Sequence, residues 1–547
     1  MKKLLALIIA VLLIFPVFAG CASKESKKVL RICNCEDYID EELLSEFEEA
    51  YECKIEYSTF GTLENLYNDI KITPDRYDLI CPSDYMIEKM AKEGMLQKIG
   101  DKLTEDGNYH TYVSSYIDDT FSSITWNNGE DSLADYAVCY MWGTLGLTFN
   151  SEFVDEADME SWASLWDKKY ANKSTIKDSI RDSFFMGAAY ANKEELDDLS
   201  EKFNGGEIDL DNYQSELLRI FNDTSEENVL RVEEGLKNLK GNIYGFEVDS
   251  GKNDVASGKI TINFAWSGDA VYAMDQAEEV GAYLNYTVPN EGSNVWFDGW
   301  CVPKNAKNVD LAIEFIEFLS DPEIVLRNME YIGYTSGIAG EDVFGNAIDW
   351  YGVCTLVETD YTEDYYNSLS EEEQEYYELD KDGKVWEYVY VEDSEVTTIT
   401  GDDETGYTAN LMVFNEDTEE VEEEETEIYK VDLSYFFGED DEWVIYTDTI
   451  GRQFTAQYPT EDIINRCVVM NCYDDEANSR VTLMWERVKG FTLPLWAIIL
   501  IVIGICGLIA FGIIYKYKEK IFAKVDLSNK EPRRRKKYKV VKKERIK

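Results

Sequence analysis

The sequence predicts an α/β fold built on a parallel sheet, and three observations in residues 29–97 support this prediction. Residues 29–33 form a short apolar run typical of a strand, and residues 54–58 and 77–81 have the length and pattern of two further strands. Amphipathic segments with helical spacing, the first at residues 40–51, separate these runs. Because strands that alternate with helices form parallel sheets, these residues predict an α/β lobe.

Polar, aromatic loops follow the first and third of these strands. They contribute two carboxylates and two tyrosines, which are Glu36, Asp37, Tyr38 and Tyr85. Ligands of parallel α/β sheets bind beyond the carboxyl ends of the strands, so we expect these side chains to face one crevice. Acidic and aromatic groups together suit an organic cation.

The chain has 547 residues, which is too many for one core. Further strand-like runs at residues 140–148, 260–266 and 294–303 predict a second α/β lobe. The apolar spacing of residues 309–319 is that of a regular helix.

The composition changes at residue 349, and residues 349–454 are acidic and rich in tyrosine. Runs at residues 385–391 and 443–447 alternate in the way of half-buried antiparallel strands. We therefore expect an acidic, β-rich insertion here. Within it, we expect the acidic run at residues 419–425 to be a solvated loop.

Both ends of the chain carry membrane signals. Residues 1–20 combine two lysines with an apolar stretch and small residues before Cys21, which predicts a lipoprotein signal peptide with Cys21 as the lipidated residue. An ordinary cleaved signal is the alternative. Residues 493–515 hold no charged side chain and are long enough, at ~1.5 Å per residue, for a transmembrane helix. A buried helix of a soluble core is the alternative there.

Residues 516–547 form a basic tail with 15 Lys and Arg against 4 Asp and Glu. The bias of positive charge toward the inner side of membranes predicts a cytoplasmic tail and an exterior domain that precedes the helix. A nucleic-acid patch is a weaker interpretation of the tail. Subtracting the +11 of the tail and the +2 of the signal lysines from the formal net charge of −57 leaves about −70 on the exterior portion. This negative field repels nucleic acid and attracts cations.

Several kinds of chemistry are excluded by what the sequence lacks. His110 is the only histidine and no motif surrounds it, so we expect neither a histidine triad nor a histidine metal site. No phosphate-binding or nucleotide-binding glycine motif is present. The 11 cysteines do not form the pattern of a disulfide framework. A hydrolase with paired carboxylates is the enzyme class that the composition leaves open. We predict a protein that is not an enzyme and that holds no cofactor and no metal.

Seven motifs follow one another along the chain: the loop after Asn34, residues 77–99, the turn at Trp142 and Gly143, residues 178–182, Trp266, residues 296–298 and residues 331–334. In kind and in order they resemble those of bacterial spermidine/putrescine-binding proteins, the extracytoplasmic receptors of polyamine ABC transporters. The resemblance covers residues 29–345 and resumes weakly over 457–489. Its most specific part combines Pro82, Ser83 and Tyr85 with residues 89–94.

The resemblance implies a type II periplasmic-binding-protein fold, in which two α/β lobes close on a ligand about a hinge. Lobe 1 would comprise residues 29–140 and 298–348, and lobe 2 residues 141–297 and 455–489. The implied partners are a polyamine, an ABC permease and the ATPase of that permease. The implied ligand-binding residues are Glu36, Asp37, Tyr38, Ser83, Tyr85, Asp182, Trp266, Trp296, Asp298 and Tyr334.

These residue types fit the chemistry of a polyamine. Aromatic faces cover methylene groups and attract ammonium charges, while carboxylates pair with the ammonium groups and read their spacing. Ordinary core packing is the alternative for each tryptophan alone. Two positions depart from the family pattern, because Cys35 replaces a tryptophan and Ser179 an aspartate of some members. The expected function is polyamine delivery to a permease. The alternative is a membrane-anchored surface sensor or adhesion protein that reuses the fold.

Overall fold

The computed structural model describes the chain from residue 28 to residue 516 with gaps. The described residues are 28–394, 396–402, 405–415, 418–438, 443–448, 453–490, 503–511 and 515–516. They divide into two compact units, one up to Val488 and one from Lys489 onward. The candidate site lies in the first unit.

The strands and helices of the first unit follow in chain order. The strands are β1 (Val29–Asn34), β2 (Lys54–Thr59), β3 (Leu79–Ile80), β4 (Thr125–Trp126), β5 (Asp131–Ser132), β6 (Ala137–Asn150), β7 (Ser174–Lys177), β8 (Gly245–Glu247), β9 (Ile262–Trp266), β10 (Leu284–Thr287), β11 (Ser293–Cys301), β12 (Thr335–Ser336), β13 (Cys354–Thr362), β14 (Tyr377–Leu379), β15 (Lys384–Tyr390), β16 (Ile399–Asp402), β17 (Gly406–Asn415), β18 (Glu420–Asp432), β19 (Val444–Thr447) and β20 (Cys467–Val468). The helices up to residue 278 are α1 (Glu41–Ala50), α2 (Leu63–Ile72), α3 (Asp84–Lys92), α4 (Asn108–Tyr112), α5 (Ser115–Ser123), α6 (Glu156–Met159), α7 (Ile180–Ala191), α8 (Lys193–Asn204), α9 (Leu210–Phe221), α10 (Glu226–Lys240), α11 (Ser250–Ala256) and α12 (Ser267–Glu278). The later helices are α13 (Val309–Leu319), α14 (Pro322–Ile332), α15 (Glu341–Tyr351), α16 (Glu363–Tyr366), α17 (Glu371–Gln374), α18 (Ser434–Phe437), α19 (Gln453–Gln457), α20 (Glu461–Asn465) and α21 (Asp475–Lys489).

The main sheet has eleven strands, eight of which lie in the order β2-β1-β3-β11-β6-β9-β7-β8. Strand β1 pairs in parallel with both β2 and β3, as the alternation of strands and helices predicts. Strand β7 pairs in parallel with β8 and β9 in the other half of the sheet. Each half therefore directs the carboxyl ends of its parallel strands toward loops that can carry a site.

Two long antiparallel strands, β6 and β11, join the halves. The first part of β6 pairs with β11 and β12, and its last part pairs with β9 and β10. All 14 residues of β6 are buried, since its continuous apolar sequence packs on both faces. The predicted lobe boundaries at residues 140/141 and 297/298 fall inside these two strands. The division into those exact segments stays a prediction.

Local sequence explains the helices that flank the site. Asp40 caps α1 by accepting a hydrogen bond from the Glu42 amide, and the buried face of α1 consists of Leu43, Leu44 and Phe47. At the far end of the unit, Trp485 of α21 packs edge-on against Phe246 of β8. Trp485 therefore packs on the half of the sheet that contains β8, while Asp475 of the same helix pairs with Lys89 of α3 at 3.3 Å. The assignment of residues 455–489 to lobe 2 stays a prediction.

Residues 354–447 form two small antiparallel sheets. Their strand orders are β13-β15-β14 and β16-β17-β18-β19, so this region is β-rich as predicted. The expectation of a loop at residues 419–425 is wrong, because residues 420–425 lie in β18 and pair with β17. Their acidic side chains are partly or fully exposed, so backbone pairing places a run of carboxylates on a solvated strand. That this region is an insertion in the family fold stays a prediction.

Several predictions concern residues that the structure describes in part or not at all. Residues 1–27, which contain the signal peptide and Cys21, lie outside the described residues, as do residues 517–547 of the tail. Of residues 493–515, only 503–511 and Tyr515 are described, and they are helical. Within the described ranges, no helix has both the length and the apolar composition needed to cross a membrane.

Candidate ligand-binding site

The loop after β1 turns Tyr38 toward the middle of the sheet. The Asn34 side chain holds this loop, because its Nδ2 donates to the Tyr38 carbonyl (3.2 Å) and its Oδ1 accepts from the Cys35 amide (2.8 Å). Asp37 has a left-handed backbone with φ of 50°, which reverses the chain just before Tyr38. The Tyr38 ring is buried, and the Tyr140 hydroxyl donates to its carbonyl at 2.8 Å.

The carboxylate of Asp298, on β11, accepts hydrogen bonds from two loops of the first half of the sheet. Its Oδ2 accepts from the Tyr38 hydroxyl at 2.8 Å, and its Oδ1 accepts from the Ser83 hydroxyl at 2.6 Å. Burial raises the pKa of Asp298 to about 6, while the two hydroxyls lower it and Asp182 adds to the increase. Asp298 therefore ionises near neutral pH and is largely charged at pH 7.

Three aromatic rings lie beside this carboxylate. Trp296 precedes Asp298 by two positions on β11, so both side chains are on one face of the strand. The Tyr334 ring meets Trp296 at 5.7 Å and Tyr38 at 5.0 Å between centroids, with edge-to-face geometry in both pairs. Gly268 permits this approach, because a Cβ there would lie 2.1–2.3 Å from the Tyr334 ring.

The other half of the sheet contributes Trp266, at the end of β9, and Asp182, in the first turn of α7. The pKa of Asp182 is raised, first by burial, and several neighbours lower it in smaller measure. Those neighbours are Ser179, Lys177, Arg181 and Trp266. Because the charge of Asp182 also raises the pKa of Asp298, the two carboxylates interact electrostatically across the boundary between the two halves of the sheet, the region that we call the cleft.

Tyr85 contacts a cation of the protein. The Arg181 guanidinium lies 4.1 Å from the Tyr85 ring centroid and 3.7 Å from that of Tyr473, and its Nη2 donates to the Asn471 carbonyl. Arg181 is 4% exposed. This stack connects α3, which carries Tyr85, to α7 and to residues 471–473, and so helps to form one wall of the cleft.

Glu36 and Asp37 lie on the exposed part of the loop that carries Tyr38. Both border a cavity of about 580 Å³, which Tyr38 also lines. Three further tyrosines and a lysine line it, namely Tyr57, Tyr272, Tyr331 and Lys252. Asp249 lies nearby, since Glu36 contributes to the increase in its pKa, which burial dominates.

Eight of the ten expected site residues are therefore grouped around Asp298 and Asp182, and their role in binding a ligand stays a prediction. They are Tyr38, Ser83, Tyr85, Asp182, Trp266, Trp296, Asp298 and Tyr334. Sequence reasoning missed Lys177, Arg181 and Asp269, which contact Trp266, Tyr85 and Tyr334 respectively. Lys177 is the last residue of β7, a parallel strand, so the rule that identified the loops at Glu36 and Tyr85 also applies to it. The cleft combines aromatic faces with carboxylates, which is the chemistry that recognises an organic cation. Across the part of the chain that is described, no group of three His, Cys, Asp or Glu side chains has the geometry of a metal site.

The fold and this cleft define a solute-binding protein. Residues 42–342 match the family of bacterial extracellular solute-binding proteins, and the chain belongs to that family. Its members bind solutes for transport and are not enzymes. Polyamine-binding periplasmic proteins align with this chain over most of their own length, which confirms the resemblance to the polyamine-binding proteins of ABC transporters.

Two relatives and one solved structure illustrate the match. The spermidine/putrescine-binding periplasmic protein of Salmonella typhimurium is 30% identical over 317 residues, which are 58% of this chain and 79% of that protein. A putrescine-binding periplasmic protein of Pseudomonas aeruginosa is 26% identical over 347 residues, covering 62% of this chain and 84% of that protein. A Listeria monocytogenes structure assigned as a spermidine/putrescine ABC transporter aligns with a TM-score of 0.54 at 21% identity. It covers 85% of this chain and 99% of its own, and it supports the two-lobed α/β fold.

Proposed function

We propose that this chain is an extracytoplasmic receptor that binds a polyamine between its lobes and delivers it to an ABC permease. The observation that carries the proposal is the environment of Asp298. This buried carboxylate accepts two hydroxyl hydrogen bonds and lies beside the rings of Trp296 and Tyr334, and it forms no ion pair with Lys or Arg among the described residues. A ligand ammonium would supply the missing positive charge.

The proposed site comprises the ten residues that the family resemblance implies. Asp298 and Asp182 would pair with ammonium groups, and the rings of Trp296, Trp266, Tyr85 and Tyr334 would cover the methylenes. Each cation–π contact contributes ~0.5–2 kcal/mol once desolvated, and several of these with charge-assisted hydrogen bonds would account for micromolar or tighter binding. Glu36 and Asp37, at the outer edge, would attract the cation before it enters.

Ligand binding would favour a closed arrangement of the lobes. The two halves of the sheet are joined through β6 and β11, and the proposed contacts come from both halves. A cation held between Asp298 and Asp182 would offset the repulsion between these carboxylates. Closure would then be linked to ligand, as delivery to a permease requires.

We further propose that the chain is held at the membrane. Sequence patterns support this through the lipoprotein-type signal at residues 1–20, lipidation at Cys21, the apolar residues 493–515 and the basic tail at 516–547. Residues 349–454 would be an insertion in the exterior domain. The similarity to periplasmic polyamine-binding proteins supports a transport role over a sensor or adhesion role.

Calorimetry tests the proposal. The full-length chain, titrated with putrescine, spermidine and spermine at pH 7.5, should bind at least one of them at micromolar affinity or tighter. Asp298→Asn should lose more than about 1.5 kcal/mol of this affinity, the scale of a charge-assisted hydrogen bond. Asp198→Asn makes the same change on α8, remote from the cleft, and should keep wild-type binding. Folded protein that binds none of the three amines would refute the assignment.

A further inference from the structure

The ammonium of Lys177 lies inside the wall of the cleft. Lys177 ends β7, and its side chain is completely buried. Its Nζ donates to Asp269 Oδ2 at 2.8 Å and to the Val248 carbonyl at 2.8 Å, and it lies 3.2 Å from Glu247 Oε1. An ammonium has three N–H donors, so each of them has an acceptor within reach.

The same ammonium also covers an aromatic ring of the proposed site. Lys177 Nζ lies 4.0 Å from the centroid of the Trp266 ring. Two carboxylates, a carbonyl and an indole face are the groups expected to recognise a primary ammonium of a ligand away from water. The protein therefore recognises an ammonium of its own in this part of the cleft.

The carboxylates around Lys177 are fully engaged. Asp269 Oδ1 accepts from the Tyr334 hydroxyl at 2.9 Å and lies 3.7 Å from Lys252 Nζ. Glu247 Oε2 accepts from the Gly251 amide at 2.9 Å. Burial alone would lower the pKa of Lys177, but Asp269 and Glu247 raise it above the usual value, so the side chain is charged.

Asp298 and Asp182 differ from this pair. Neither forms an ion pair with a lysine or arginine within the described ranges, and each contributes to the proposed contacts with ligand. Two carboxylates can each neutralise one ammonium. A third ammonium that entered beside Trp266 would meet the charge of Lys177 without a carboxylate of its own, and an unpaired buried charge is strongly unfavourable.

We infer that Lys177 takes the place of a ligand ammonium and restricts the inner cleft to ligands with two ammonium groups, so that a diamine is preferred to a triamine. This inference rests on the proposed polyamine binding. It makes Lys177 a specificity-determining residue that acts through Trp266, Asp269 and Glu247. A third ammonium of a longer ligand would remain in the hydrated outer cavity near Glu36 and Lys252, where it gains little.

The test is the ratio of the putrescine Kd to the spermidine Kd, measured by calorimetry on the full-length chain. In wild type we expect spermidine to bind no more tightly than putrescine. Lys177→Met keeps the apolar stem and removes the charge, and it should shift the ratio at least about tenfold toward spermidine, since Asp269 and Glu247 become available. Lys202→Met removes an exposed lysine of α8 and should leave the ratio unchanged.

Replacing Lys177 leaves the buried charges of Asp269 and Glu247 without this ammonium, which can destabilise the fold. Thermal unfolding of each variant must therefore accompany the titrations. If Lys177→Met does not fold, the double variant Lys177→Met/Glu247→Gln removes one charge of each sign and should show the same direction of shift. Spermidine binding more tightly than putrescine in wild type overturns the inference whether or not a variant folds. An unchanged ratio in a folded variant also overturns it. If wild type binds no polyamine, the proposed function fails as well.

Discussion

The Ser83 hydroxyl lies 2.6 Å from Asp298 Oδ1, and it makes this bond instead of capping the helix that Ser83 precedes. Serine at this position normally accepts a hydrogen bond from a backbone amide of the first turn, and no such bond forms at α3. The hydroxyl is therefore oriented toward the buried carboxylate. Together with the Tyr38 hydroxyl, it lowers a pKa that burial raises.

Ser83→Ala should reduce ligand affinity without weakening α3. The substitution removes one hydrogen bond to a charged group, so we expect a loss of about 1–2 kcal/mol in binding. Because this bond is already formed without ligand, its loss should also cost the unliganded protein about 1 kcal/mol of stability at pH 7.5, and less toward pH 4. Thr62→Ala is the matched control, because the Thr62 hydroxyl does cap α2, accepting from the Asn65 amide at 3.3 Å. It should cost about 1 kcal/mol of stability and leave binding intact. Intact binding in Ser83→Ala, or weaker binding in Thr62→Ala, would contradict this assignment of roles.

Asp298→Asn should make the unliganded protein more stable at pH 7.5. The pKa of Asp298 is about 6 in the folded protein against an ordinary 3.8, so the folded state holds the proton more tightly. This tighter proton binding stabilises the folded state by about 3 kcal/mol below pH 4, and the stabilisation is lost as the pH rises through 6. After allowance for altered hydrogen bonds, denaturant unfolding should show a gain of about 1–2 kcal/mol at pH 7.5 that shrinks toward pH 4. A variant less stable than wild type at pH 7.5 would rule this out.

Ligand binding should release protons near pH 6. An ammonium beside Asp298 favours its ionised form, so the pKa of this carboxyl falls in the complex. Affinity should be about tenfold weaker at pH 5 than at pH 7.5, since most of the carboxyl is protonated at pH 5. Calorimetry at pH 6 in two buffers of different ionisation enthalpy measures the proton count directly. Equal affinities at the two pH values, with no proton release, would place Asp298 outside the binding contact.

Gly268→Ala should displace Tyr334. The added methyl would overlap the Tyr334 ring, which must then leave its contact with Trp296. Such overpacking costs about 1–3 kcal/mol of stability, and we expect binding to weaken as well. Gly245→Ala on β8 is the control, because a Cβ there would have no atom within 4 Å. Urea unfolding and calorimetry on both variants check this, and equal behaviour of the two would show that the close approach is unimportant.

Much of the site could be predicted because it follows local rules. Tyr38, Ser83 and Tyr85 lie where parallel strands end, and Asp298 follows Trp296 by two positions on an extended strand. These relationships depend on short stretches of chain, so periodicity and the family motifs identify them. The β-rich character of residues 354–447 is likewise visible in their alternation.

Other features depend on contacts between distant segments. Arg181 is 290 residues from Asn471, whose carbonyl accepts its hydrogen bond, and Lys177 is 92 residues from Asp269. Nothing in the local sequence around Lys177 or Asp269 indicates that these two side chains form a buried ion pair. The exposure of Glu36 and Asp37 is similar, because it depends on where the left-handed turn at Asp37 directs the loop. The acidic strand at residues 420–425 shows that backbone pairing with a neighbour can override the preference of glutamate for solvated loops.

The most direct test of the central claim compares putrescine with two molecules of nearly the same size. Butylamine keeps one ammonium, and 1,4-butanediol keeps the chain without charge. If two carboxylates and the surrounding rings recognise ammonium groups, calorimetry at pH 7.5 should show butylamine binding about 10–100-fold more weakly than putrescine, and no detectable binding of the diol. Equal affinity for putrescine and the diol would contradict the account, because it would mean that the cleft binds its ligand without using charge.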